Sequence, residues 1–158
     1  MTTIERKNHG VGYVSIFLTM LTNRKMEELT YSAKIAIIIV LEEILKADSI
    51  VRDSEIEYMN EVVKSFCLGN DYKEDVNKLM TLQALSIIKE LTIDQKGEVA
   101  KMMGKMIVID KDINYNEVMM YNTFCESCNI EKDFNVNEYP ESSLSGPFIN
   151  PEDMMNML

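Results

Sequence analysis

The sequence predicts an all-α fold, and three observations carry that prediction. Apolar residues recur at helical spacing along most of the chain, no run alternates apolar and polar residues as a half-buried strand would, and capping patterns mark several helix starts. The 158 residues suit one domain with a sizeable core and are too few for two ordinary ones. The expected architecture is a compact bundle of about six or seven helices.

The elements follow in order. "VGYVSIFLTML", Val11 to Leu21, has the length of a signal-peptide core. Acidic Glu5 precedes it and no small-residue cleavage pattern follows, so an amphipathic first helix over about 10–25 is the better reading. Thr30 is a cap residue ahead of "YSAKIAIIIVLEEIL", which predicts a helix from 31 to about 48. That stretch is hydrophobic around much of its circumference, as a central helix should be. A helix over 53–68 comes next. "DYKE" at Asp71, "TIDQ" at Thr92 and "NYNE" at Asn114 all read as capping boxes. In such a box the cap oxygen accepts from an otherwise unpaired N–H while the later acid or amide reaches back, so each pattern opens a helix. They predict helices over 72–91, 93–110 and 115–130.

From Asp133 the texture changes, and all three prolines lie beyond it. The prediction is a helical domain over 1–132 and a C-terminal tail over 133–158, with Asn150 and Pro151 suited to one closing turn. The final "MMNML" and the tail aromatics Phe134, Tyr139 and Phe148 fit either packing onto the domain or capture of a partner.

Composition bounds the function. With 26 acidic residues against 16 basic ones the net charge is -10, and the pI is near 4.6. Such a surface repels phosphate backbones, which argues against nucleic acid and favours divalent cations or basic protein partners. The longest apolar run, Ile35 to Leu41, falls far short of the roughly 20 residues of a membrane span. Without an export signal, the expected location is cytoplasmic. Cys67, Cys125 and Cys128 then give no disulfide framework. Thirteen Met residues and no Trp suggest a pliable core.

One phrase is written twice. "KADSIVRDSEIEYM", Lys46 to Met59, and "VIDKDINYNEVMMY", Val108 to Tyr121, align at an offset of 62 residues. Leu41 falls on Met103, Ile44 on Met106, Leu45 on Ile107, Val51 on Ile113, Ile56 on Val118, Val62 on Phe124 and Leu68 on Ile130. These positions repeat a 3.6-residue stripe on both sides of a short turn, so each copy is a helix, a tight connection and a second helix. The repeats span about 31–68 and 93–130 and are expected to pack with pseudo-twofold symmetry.

The shared phrase, Asp-x-x-(Ile/Val)-x-x-x-Glu at a helix junction and preceded by an apolar residue or Ala, resembles the tellurite-resistance TerB-like family over about Tyr31 to Ile130. The resemblance implies a helical bundle with internal pseudo-twofold symmetry, a cluster of acids that binds a divalent cation, calcium foremost, and a role in stress or tellurite resistance. Carried over by position, the acids are Asp48 and Glu55 in the first copy and Asp110 and Glu117 in the second. The chain departs from the family in having Ser49 and Lys111 where Gly is usual after the Asp, and Arg52 where a cap residue is usual.

The residues themselves leave two readings open. Glu117 completes a box with Asn114, and Glu55 sits in a first helical turn, so both have a structural role without a ligand. Asp48 and Asp110 end their helices, where the helix dipole disfavours an anion. Each should therefore accept N–H groups from the following turn or meet a cation. "DKDINYNE" sets oxygens at Asp110, Asp112, Asn114 and Glu117, a spacing that suits a hard cation, although Tyr115 and Tyr121 stand where an EF-hand has Gly and Glu. In the first copy Ile50 and Arg52 replace two of these groups, and Arg52 could stand in for a cation by pairing with Asp48 or Glu55.

Other motifs point to packing. The two cysteines of "CESC" fall on Val63 and Phe66 of the first copy, positions for small buried hydrophobes. His9, the only histidine, has no partner acid at helical spacing, and without it no catalytic triad can be assembled. No P-loop or dinucleotide-binding glycine motif is present. The expectation is a non-enzymatic acidic helical domain that binds a divalent cation at its junctions. The alternative is a metal-free interaction or scaffold module.

Overall fold

The computed structural model describes residues 29–146. Thr30 opens the first helix as expected, its Oγ1 accepting from the N–H of Ala33, and α1 (Tyr31–Leu45) runs from there. It is followed by α2 (Asp53–Ser65), α3 (Tyr72–Lys78), α4 (Thr81–Lys89), α5 (Ile93–Val108) and α6 (Tyr115–Cys128). The described residues thus form a compact all-α bundle of six helices. The expected first helix over 10–25, His9 and the Met-rich end lie outside them.

Helix α1 is the central element. Ala36, Ile37, Ile38, Val40, Leu41 and Ile44 are fully buried, so the run that is apolar on nearly every side is packed on nearly every side. Around it lie Ala84 and Ile88 of α4, Val99, Met103, Met106 and Ile107 of α5, and Tyr121, Phe124, Cys125 and Cys128 of α6. None of the six helices is long and apolar enough to cross a membrane.

Two expected details are corrected. The helix predicted over 72–91 is two helices, because Leu79 and Met80 are extended, with ψ of 124° and 150°, and α4 restarts with Gln83 Oε1 accepting from the N–H of Met80. Asp71, read as a cap, has helical backbone angles and makes no side-chain cap bond. A cap oxygen reaches the first-turn N–H groups only from a non-helical backbone.

The repeat is reproduced in the backbone. Thr92 caps α5 as Thr30 caps α1, with φ and ψ of -64° and 159° against -63° and 156°. Ser49 and Lys111 both take positive φ, 65° and 68°, and so do Cys67 and Asn129 at the ends of α2 and α6. The N–H of Leu68 reaches the carbonyl of Val63, and that of Ile130 reaches the carbonyl of Cys125. Each pair is 62 residues apart.

After α6 the chain folds back. The Tyr121 hydroxyl accepts from the N–H groups of Asp133 and Phe134, at 2.8 and 3.0 Å. Phe134 lies edge-on to Tyr121 and beside Tyr139. It also sits where only glycine fits easily, since a Cβ on Gly104 would come within 3.1 Å of it. Two short 3-10 turns, Val136–Glu138 and Glu141–Ser143, lead into β2 (Leu144–Ser145), which pairs in parallel with β1 (Ile113–Asn114). This two-stranded bridge has no counterpart in the sequence reading, because two residues are too few to show a period.

Candidate functional site at the repeat junctions

Every shared letter of the repeated phrase has a local structural job. Asp48 Oδ1 accepts from the N–H of Ile50 at 2.8 Å, and Asp110 Oδ1 accepts from that of Asp112 at 2.9 Å. The next residue, Ser49 or Lys111, takes the left-handed conformation that turns the chain. Val51 and Ile113 precede the caps, while Ile56 and Val118 are the fourth helical residues, so each pair occupies the positions of a hydrophobic staple. The Glu then closes the turn: Glu55 Oε2 accepts from the N–H of Arg52 at 2.7 Å, and Glu117 Oε2 from that of Asn114 at 3.4 Å.

The caps differ. Asn114 Oδ1 accepts from the N–H of Asn116, and its Nδ2 donates to Ser145 Oγ. An arginine has no acceptor, so the Arg52 side chain is free to turn elsewhere. Its Nη1 lies 3.0 Å from Asp48 Oδ2, its Nε 2.9 Å from Asp110 Oδ2 and its Nη2 2.6 Å from Asp112 Oδ2. The Nε contact is an ion pair by distance only, because the Asp110 oxygen makes no directed hydrogen bond. One guanidinium from the first repeat therefore meets carboxylates of both, with the side chain of Asp48 fully buried and that of Asp110 nearly so.

The two glutamates lie at the inner side of this arrangement, 0% and 1% exposed for Glu55 and Glu117. Burial is the main cause that pushes the Glu117 carboxyl up, to about 8, and the negative charges of Asp48, Glu55 and Asp110 add to it. Burial also raises Glu55, but the N–H and positive charge of Arg52 pull against that rise. Oε1 of Glu55 is buried without a hydrogen-bond partner.

Asp110, Asp112, Asn114 and Glu117 do not converge on one point. Two of them face Arg52, Asn114 faces its own helix start and Ser145, and Glu117 faces a backbone N–H. Among the described residues no group of three or more His, Cys, Asp or Glu side chains is placed to hold a metal ion. As arranged, these residues do not fit a divalent cation, because Arg52 stands among the oxygens it would need. Of the two partners that the sequence offers Arg52, the guanidinium pairs with Asp48, while Glu55 meets only its backbone N–H; Asp110 and Asp112 are partners that the sequence does not point to. The signal was the Arg at a cap position whose counterpart is Asn.

Cys125 and Cys128 are fully buried, burial pushes both thiols up, and Cys128 Sγ lies 3.4 Å from the carbonyl of Leu85. They pack as core residues.

No protein-family model matches the chain, and none of the curated proteins does. A solved structure of a protein of unknown function from Porphyromonas gingivalis W83 is similar, with a TM-score of 0.57 and 23% identity over 70% of this chain and 91% of that one. Likeness at that identity establishes a shared fold and carries no activity across.

Proposed function

We propose that this chain is a non-enzymatic acidic helical interaction module, TerB-like by resemblance, whose repeat junctions are fastened by Arg52 in place of a divalent cation. The observation that carries the reading is the single guanidinium set among Asp48, Asp110 and Asp112. A planar fork of five donors suits several carboxylates at once and, unlike a bound ion, does not dissociate. The acids that the resemblance would give to calcium are then spent inside the molecule. Its outward chemistry is left to the surface of the first junction, where Ile50, Val51 and Ile56 are exposed. The role in stress or tellurite resistance rests on the resemblance alone.

The test is thermal unfolding of metal-stripped protein with and without calcium, magnesium and zinc. A ligand at 100 times its dissociation constant adds about 2.7 kcal/mol, a shift easily seen in a domain of this size. No cation should move the midpoint. A calcium-dependent rise that Asp110→Ala removes would overturn the reading and return the junction to cation binding.

A further inference from the structure

The two junctions share a backbone and differ in what covers them. At the second, Ile113 is 1% and Val118 7% exposed, whereas their counterparts Val51 and Ile56 are 50% and 44% exposed. Along the first helix of each copy the aligned positions agree: Leu41, Ile44 and Leu45 are buried, as are Met103, Met106 and Ile107, while at the far end Leu68 is half-buried where Ile130 is buried. The sequence alignment placed Val51 and Ile56 on the buried stripe, and the structure corrects this.

The difference coincides with β2. Leu144 pairs with Ile113 and Ser145 with Asn114, and Nδ2 of Asn114 donates to the Ser145 hydroxyl. Arg52 has nearly the same extended backbone as Asn114, φ and ψ of -105° and 153° against -88° and 139°. Among the described residues no strand pairs with Val51 or Arg52. Among the described residues the first junction therefore repeats the backbone on which β2 lies at the second, without a strand laid on it, and β2 shows what such a backbone accepts. An unpaired extended segment flanked by exposed apolar side chains is the template that strand addition uses.

We infer that Val51 and Arg52 form a docking site for an extended peptide of a partner protein, laid parallel to the chain as β2 lies on β1, with an apolar residue over Val51 and Ile56. This chain's own β2 is already committed at the second junction. Exposed Asp53 and Glu57 flank the site on α2, and the protein as a whole carries a charge of -10, so the fitting peptide has basic residues beside its apolar anchor. The inference rests on the interaction-module reading and deepens it.

The experiment is a nuclear magnetic resonance titration of isotope-labelled full-length protein. The probe is a synthetic peptide with Ser-Ser-Leu-Ser-Gly between two lysine pairs. Saturable amide shifts confined to the stretch from Ser49 to Glu57 are expected, and Val51→Ser and Ile56→Ser, which remove the apolar contact without adding charge, should each weaken binding about tenfold with dispersed, folded spectra. Both side chains are already solvent-exposed, so neither variant loses core packing. Replacing the peptide leucine with aspartate should abolish the shifts.

Three results would overturn the inference. The first is the absence of a saturable shift. The second is shifts only at Ile113 and Asn114, which would show the peptide competing with β2. The third is concentration-dependent shifts at Val51 without peptide, which would make a second copy of this chain the occupant. Failure of the module reading shows separately, as calcium-dependent stabilisation in the unfolding experiment.

Discussion

Nη2 of Arg52 lies 2.6 Å from Oδ2 of Asp112, so the residue that starts the second helix of one repeat holds the turn of the other. Their separation of 60 residues makes this a tertiary bond and no part of either hairpin's own turn. It joins two elements that local hydrogen bonds had already shaped.

Removing that cation leaves three carboxylates facing one another. Arg52→Ala should cost ~2–4 kcal/mol, below the ~3–5 kcal/mol of a fully buried pair because a quarter of the Arg52 side chain remains in water. Arg52→Lys should recover only part of it, since one ammonium cannot serve three directions as a planar fork does. Denaturant unfolding of the two variants beside the parent measures both. Equal stability of all three would mean that the contacts contribute nothing.

Glu117 predicts a pH dependence. Its carboxyl is raised from 4.5 to about 8, chiefly by burial, so the folded protein holds a proton that the unfolded chain releases. The stability tied to this group is complete below about pH 4.5 and is lost as pH climbs through about 8. Glu117→Gln keeps an oxygen for the N–H of Asn114 and has nothing to ionise. The midpoint of the variant relative to the parent should therefore rise across that window, and midpoints that run parallel over the whole range would refute the assignment.

The left-handed residues offer stabilising changes. Ser49 and Lys111 have φ of 65° and 68° and are exposed, so Gly at either position relieves backbone strain without removing a buried contact. Each substitution should add about 0.5–1 kcal/mol, the relief exceeding the extra chain entropy that Gly brings. The mirror case is Gly146, with φ of 83°, where Ala should loosen β2. Thermal midpoints of the three variants check the signs.

Tyr121 ties down the returning segment. Tyr121→Phe leaves the N–H groups of Asp133 and Phe134 without their acceptor, which should cost about 1–3 kcal/mol. The loss should be local, so limited proteolysis between 133 and 146 should speed up more than global unfolding does.

Much of this structure could be read from residue types. The caps at Thr30, Thr92 and Asn114 and the reciprocal Glu117 were legible because capping is local chemistry between residues two or three apart. The duplicated hairpin was legible because each copy repeats the same local rules. The break at Leu79 and Met80 was not, since Met is an unusual cap and only Gln83 marks the restart. Nor was the exposure of Val51 and Ile56, which depends on whether a distant segment returns to cover them. At the candidate site the sequence named the acids. It also offered Arg52 as a partner for Asp48, and that pair is present; what was hidden is the reach of Arg52 to Asp110 and Asp112, which crosses from one repeat to the other.

The sharing of one guanidinium between two junctions also bears on ancestry and exchange. Hairpins with equal junctions could be shuffled, permuted or inherited singly, each carrying its own complete turn. Here Asp110 and Asp112 of the second hairpin draw their positive charge from the first, while the first has no use for Ser145, which the second engages. The halves have taken up a division of labour. A transplant of either one into another protein would carry half of a bargain.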